Sequence, residues 1–399
     1  MILLLCARSA DAQDRPEGST VNGRFSIEET NDKFAFDSDD AQFTQGLKVR
    51  ATWDPRWIDS PVTTCLYEPY RRRFEPNRIT ASFELGQDIF TPDDISPFDE
   101  DDERIDAGRE PLSPEGKEAE FDEWYDGEFK HDRPYSSETY GEYKLNGYFT
   151  RHPWAWLGWE MPGMLRWSIA GRAGYVGPTG GGQVQKAVHV LMRGVTGEHY
   201  PRDPQGWEFQ QRENGFSRIR NTEIAPQVGV NASFEAELDL YNAKWTSWLH
   251  ARGSGLTFSE IGQFRDLGGI GLRAELGYLG KQPLACFPSA DRQQIPPECS
   301  NWDGPEVGGN VSTFAFYVYG EGRGRFNLYN RHLDNEMFTD DAVEARRRWT
   351  DAEGTLGVVL RFWTFELEFA QTAFVRSTRI DPRDDIDHYV GTIKVSALF

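Results

Sequence analysis

Apolar and polar residues alternate one by one along many stretches of this chain, and that period limits its fold more than any other feature. Between Phe314 and Leu328, the residues Phe314, Phe316, Val318, Phe326 and Leu328 share one parity, and Tyr317, Tyr319, Glu321, Arg323, Arg325 and Asn327 share the other. A strand turns successive side chains to opposite faces, so such a run describes a sheet with one apolar and one charged surface. The stretch from Leu165 to Tyr175 repeats the pattern with Arg166, Ser168 and Arg172 opposite its large apolar residues. The stretch from Trp363 to Phe369 does so again with Glu366 and Glu368 on the polar side. The runs reach the length of a tilted membrane-crossing strand, about ten residues. Nowhere does the sequence hold about eighteen consecutive apolar residues, so no spanning helix is predicted.

Period two fits two architectures. A soluble sandwich hides the apolar face and wets the charged one, whereas a membrane barrel turns the apolar face to lipid and encloses the charges. The ends of the chain favour the barrel. Tyr389, Gly391, Ile393, Val395, Ala397 and Phe399 form a last amphipathic strand closing on an aromatic residue. At the other end, Met1 to Ala7 followed by Ala10-Asp11-Ala12-Gln13 reads as the remnant of an export signal cleaved after Ala12. The expectation is therefore an all-β protein: residues 1–12 a signal remnant, residues 13–399 a single antiparallel transmembrane barrel of about twelve strands. The strands are expected near 23–29, 43–53, 79–90, 137–151, 164–176, 225–235, 237–257, 270–280, 312–329, 352–362, 363–376 and 387–399. An even count puts both termini on the periplasmic side and loops after odd-numbered strands outside. Residues 54–78 and 281–311 then become long periplasmic connections.

The formal charge of -21 excludes nucleic acid as a partner and suits a surface that meets divalent cations. Much of the excess lies in the acidic run from Asp93 to Glu103, whose ordinary reading is a solvated loop. Export permits a disulfide between Cys286 and Cys299, which flank a proline-rich loop and leave Cys65 over. No His or Cys spacing supports a zinc site.

Candidate chemistry concentrates at strand ends. Asn31 and Asp32 sit where the first strand breaks into a polar loop, and Thr44 opens the strand that returns. An Asx-type turn is the ordinary explanation, but two adjacent hard oxygen donors also suit calcium. Beyond the fifth strand, glycines at 177 and 180–182 precede Val184, Val188 and Leu191 at helical spacing, which predicts a short helix in an extracellular loop. Gln185 and His189, four residues apart, project from one side of it. A surface histidine is commonly inert, and the alternative is a general base. The chain has no Gly-x-Ser-x-Gly elbow, so no serine nucleophile is expected.

Taken as an ordered set, six stretches resemble the outer-membrane lipid A 3′-O-deacylase family. They are Glu29-Thr30-Asn31-Asp32, Phe43 to Leu47, Gln87 to Pro92, Asp132 to Tyr135, Val176-Gly177-Pro178 with Gln183 to Gln185 and His189, and Gly206-Trp207 with Gln210. The resemblance covers roughly residues 24–216 in order and spacing. It implies a twelve-stranded barrel that uses calcium to hydrolyse an acyl ester of lipid A in the outer leaflet. It also implies that Asn31 and Asp32 hold the cation, that Thr44 supports the site, and that His189 is the general base with Gln185 beside it. The family's oxyanion lysine falls in the loop after the third strand, where Lys117 and Lys130 are both candidates in an expanded acidic segment. The implied partners are lipopolysaccharide and the outer membrane, and the implied state is a monomer. The rival reading is a barrel without catalysis, either a channel lined by the inward Arg and Glu residues or a structural protein.

Overall fold

A computed structural model of the chain describes residues 23–31, 45–53, 79–90, 136–149, 165–176, 227–246, 248–278, 314–330, 349–374 and 388–398. They form twelve strands. The first six are β1 (Gly23–Asn31), β2 (Gln45–Trp53), β3 (Ile79–Phe90), β4 (Ser136–Phe149), β5 (Leu165–Val176) and β6 (Gln227–Lys244). The others are β7 (His250–Gly262), β8 (Arg265–Tyr278), β9 (Phe314–Asn330), β10 (Thr350–Phe362), β11 (Phe365–Phe374) and β12 (His388–Leu398). Each strand pairs antiparallel with its sequence neighbours, and β1 closes the barrel on β12 from Arg24↔Leu398 to Asn31↔Gly391. Closure satisfies every edge, which a bilayer demands because lipid offers the backbone no hydrogen bonds. Among the described residues no helix is long and apolar enough to cross a membrane, so the strands are the crossing elements.

The alternation read from sequence sorts the two surfaces. Ile270, Leu272, Phe326, Leu328 and Leu356 are each more than half exposed on the outside of the wall. Residues of the other parity turn inward and pair: Arg273 with Glu321 of the next strand, Arg323 with Glu321 of its own, and Arg325 with Glu353 of β10. Large lumen side chains lie over glycines of neighbouring strands. The Tyr140 ring occupies the place a Cβ of Gly86 would take, and Tyr319 does the same at Gly357. A side chain at either glycine would collide with the ring, so the close approach requires glycine there.

Two boundaries differ from the sequence expectation. Residues 237–257 were expected to form one strand after a break at 236, but β6 runs on to Lys244 and the chain turns at 245–249. A register shift between Asp239 and Tyr241 explains the misreading: the bulge turns both Leu240 and Tyr241 to the outside and blurs the parity. The turn carries no Gly or Pro. Instead the Thr246 hydroxyl accepts the backbone N–H groups of Trp248 (3.3 Å) and Leu249 (3.0 Å), a side-chain substitute for the usual turn residues. The eighth strand begins at Arg265 rather than 270, because β7 and β8 are joined by Gln263 and Phe264 alone. Gly262 there has φ +158, and its N–H donates to Asp266 (2.7 Å). The connections at 54–78 and 281–311, the helix expected within 177–191, the acidic run and the cysteines lie outside the described residues.

Candidate active site

Register alone gathers the segments that the sequence singled out. Asn31, the last residue of β1, pairs with Gln45 of β2; Gln45 pairs with Ile89 of β3; Ile89 pairs with Ser137 of β4; and the next residue, Glu138, pairs with Val176 of β5. The strand ends that lead to Asp32, Thr44, residues 91–135 and residues 177–191 therefore stand side by side on one rim. Asp32, Thr44, Gln185, His189, Lys117 and Lys130 themselves lie outside the described residues, so Asn31 is the described member of the expected site. Among the described residues no group of three or more His, Cys, Asp and Glu side chains gathers as a metal site.

Parity settles which surface Asn31 belongs to. Arg24, Ser26, Glu28 and Thr30 point into the lumen: Glu28 pairs with Lys48 (3.0 Å), and the Thr30 hydroxyl meets that of Thr392 (3.0 Å). Phe25 and Ile27 point outward at 42% and 46% exposure, and Asn31 shares their parity. Asn31, the expected cation ligand, thus belongs to the outer wall at the rim rather than to the mouth of the lumen. The same wall has a sheltered patch nearby. Gln87, Ile89 and Ser137 have outward parity yet are only 8%, 0% and 1% exposed, whereas Leu85, on the same strand, is 57% exposed. Sequence reasoning marked the stretch Gln87 to Pro92, which supplies two of these residues, but not their shelter on the outer wall beside Ser137. The one legible signal of that shelter was Gln87, a polar residue on the apolar side of β3.

The lumen is crowded with ion pairs. Arg252 donates to Asp239 (2.8 Å), Glu275 (3.2 Å) and Glu237, and Arg166 shares Asp239 (3.0 Å). Arg273 joins Glu275 (2.8 Å) to Glu321 (3.2 Å), and Arg325 joins Asp351 (2.6 Å) to Glu353 (3.0 Å). Arg323 of β9 reaches Glu235 of β6 (3.4 Å), two strands beyond its neighbour, which ties non-adjacent parts of the wall together. Near the Asn31 rim, Arg172 pairs with Glu142 (3.2 Å) and Glu138 (3.4 Å) and lies 3.9 Å from the centre of the Tyr140 ring. Buried pairs of this kind are weak evidence of stability, but losing one partner leaves the other charge buried and unpaired.

A model of the family described as "Outer membrane protein LpxR" matches residues 1–105 and 125–399. The chain belongs to the LpxR family of outer-membrane proteins. This is the lipid A 3′-O-deacylase family that its rim motifs resemble, and its barrel is accordingly an outer-membrane barrel. Among solved structures, LpxR from Salmonella typhimurium is similar with a TM-score of 0.58 and 14% identity, covering 94% of this chain and 100% of that one. At that identity the likeness shows the shared fold. The β domain of the Bordetella autotransporter BrkA overlaps far less well, with a TM-score of 0.35 at 9% identity over 96% of this chain and 100% of that one. A search of curated protein sequences gives no significant match. The gap in the family match, residues 106–124, falls in the expanded segment that holds Lys117. Elsewhere the LpxR pattern spans every described strand.

Proposed function

We propose that this chain is a calcium-dependent lipid A deacylase of the outer leaflet, hydrolysing a 3′-linked acyl or acyloxyacyl ester, with its active site on the extracellular rim. The observation that carries the reading is the outward parity of Asn31 at the end of β1, in a chain that belongs to the LpxR family. An amphiphile held in a leaflet approaches a barrel from the side, so a site on the outer wall at membrane-surface height suits a lipid ester, whereas a lumen site would suit a diffusing solute.

His189 acts as general base, taking a proton from the attacking water through a neutral imidazole nitrogen. A positioned base of this kind contributes typically about 100-fold or more. Gln185, four residues before it in the sequence, orients the same water or the ester. The amide oxygen of Asn31 and the carboxylate of Asp32 fit a hard cation because both present oxygen, and Thr44 adds a hydroxyl from the returning strand. Calcium, when bound there, supplies charge stabilisation at the ester carbonyl. Lys117 and Lys130 are the two candidates for a further donor to the oxyanion. The ion pair between Arg323 of β9 and Glu235 of β6, reaching across the lumen, weighs against the rival reading of an open channel.

The test is incubation of purified protein with lipid A and calcium, followed by mass spectrometry of the lipid. Loss of one acyl or acyloxyacyl group is expected. His189→Gln is expected to slow it by about 100-fold or more, and chelation should stop it with selective rescue by calcium. Full activity in the histidine variant removes the base assignment, and indifference to chelation removes the cation.

A further inference from the structure

Among the described residues, the membrane-facing surface of this barrel carries one charge. Leaving aside the bulged first residues of β8, every described outward side chain of the twelve strands is apolar, glycine or uncharged polar except Glu29. It stands between Ile27 and Asn31 on the outward row of β1. Its partners on the neighbouring strands are Leu47 and Ile393, both apolar. The inward carboxylates Glu28, Glu84 and Glu366 are each held by Lys or Arg. Glu29 makes no hydrogen bond or ion pair with any described residue, although its surroundings are partly buried. Turning a lone carboxylate toward lipid hydrocarbon is unfavourable, and a leucine or valine there would match the rest of the wall.

Its height sharpens the question. Two residue steps separate it from Asn31, about 7 Å along β1 toward the membrane interior. If the ester under attack lies at Asn31, this carboxylate lies against the first carbons of an acyl chain. An ionised carboxylate only accepts hydrogen bonds. The group that answers it at that depth is a donor on the lipid, and a hydroxylated acyl chain supplies one.

We infer that Glu29 is a specificity-determining residue that accepts a hydrogen bond from an acyl-chain hydroxyl of the bound lipid and selects hydroxyacyl lipids over plain acyl lipids. The inference rests on the deacylase reading for its choice of substrate class. It explains why Glu29 has no partner among the described residues, since the partner is the substrate. A site built around such a bond discriminates strongly against an analogue lacking the hydroxyl, because the polar group is then left unpaired.

The experiment uses the full chain in detergent micelles with calcium and two synthetic probes. One is lipid A with hydroxylated primary acyl chains, and the other is the same lipid with those hydroxyls replaced by hydrogen. Both kcat/KM for deacylation and lipid retained in native mass spectra are read. The wild type is expected to favour the hydroxylated probe by about tenfold or more in both readouts. Glu29→Leu should lose that preference, its rate on the hydroxylated probe falling towards that on the second and its rate on the second probe no lower than the wild type's, and Glu29→Gln, which retains a carbonyl acceptor, should keep part of the preference. Leucine is an ordinary residue for that face, so E29L is expected to fold, and cooperative unfolding checks it. A variant that keeps the preference, an equal loss on both probes, or a wild type without preference each overturns the inference. If the wild type retains the hydroxylated lipid selectively but cleaves neither probe, the deacylase reading fails and this inference stands. If it cleaves both equally well, the reverse holds.

Discussion

Gly86→Ala offers a sharp test of how the lumen is packed. The ring of Tyr140, 2% exposed, occupies the space that a Cβ at residue 86 would need. The neighbour is the rigid aromatic ring itself, held from two sides. Its hydroxyl donates to Glu84 (3.1 Å), and the Arg172 guanidinium lies 3.9 Å from its centre. The added methyl must push the ring away. Overpacking of this kind costs about 1–3 kcal/mol. Weakening the bond to a charged acceptor costs about 1.5 kcal/mol more, and loss of the cation–π contact about 0.5–1 kcal/mol. Because partial relaxation saves some of each, the expected destabilisation is about 3 kcal/mol. Gly322→Ala is the reference: it adds the same methyl to a glycine of β9 whose Cβ would have nothing within 4 Å, and it should change stability by less than about 0.5 kcal/mol. Equilibrium unfolding of the barrel in lipid vesicles by guanidinium, followed by tryptophan fluorescence, measures both. In a Tyr140→Ala background the cost of Gly86→Ala should largely vanish, giving a coupling of about 2 kcal/mol. Equal stability of G86A and G322A, or an unchanged cost without the ring, would refute the account.

Two further substitutions test the other surfaces. Phe264, fully buried at the β7–β8 turn against Val176 and with its N–H donating to Asn231 (2.9 Å), closes that part of the rim. Phe264→Ala should cost about 3–5 kcal/mol in the same unfolding assay, and a loss below about 1 kcal/mol would show that the ring fills no essential space. Ile270, 69% exposed near the middle of β8, faces lipid. Ile270→Arg should destabilise the barrel by about 2–4 kcal/mol in a bilayer, and no loss there would mean that this face is not the membrane surface.

Much of the architecture was legible because a strand's side-chain period is fixed by backbone geometry. Glu321, Arg323 and Arg325 had to lie opposite Val318 and Phe326 in any extended conformation, and Glu366 and Glu368 opposite Leu367. The count of twelve followed from such runs, and membership in the LpxR family agrees with the rim motifs. Local readings failed where a single residue broke the period. The bulge before Tyr241 reversed the apparent parity, and the 245–249 turn relied on a threonine hydroxyl that turn statistics do not emphasise.

What the sequence by itself determined is the division of each strand into a lipid side and a lumen side, since that depends only on alternation along the chain. Which strand ends share a rim was decided by closure and register, because hydrogen bonding pairs Asn31 with Gln45, Gln45 with Ile89 and Ile89 with Ser137 across long intervals of chain. The same closure decided which face of that rim matters. Only once β1 is paired with both β12 and β2 do Glu29 and Asn31 stand on the outside of a wall, with Glu29 the one charge turned toward lipid among the described strand residues.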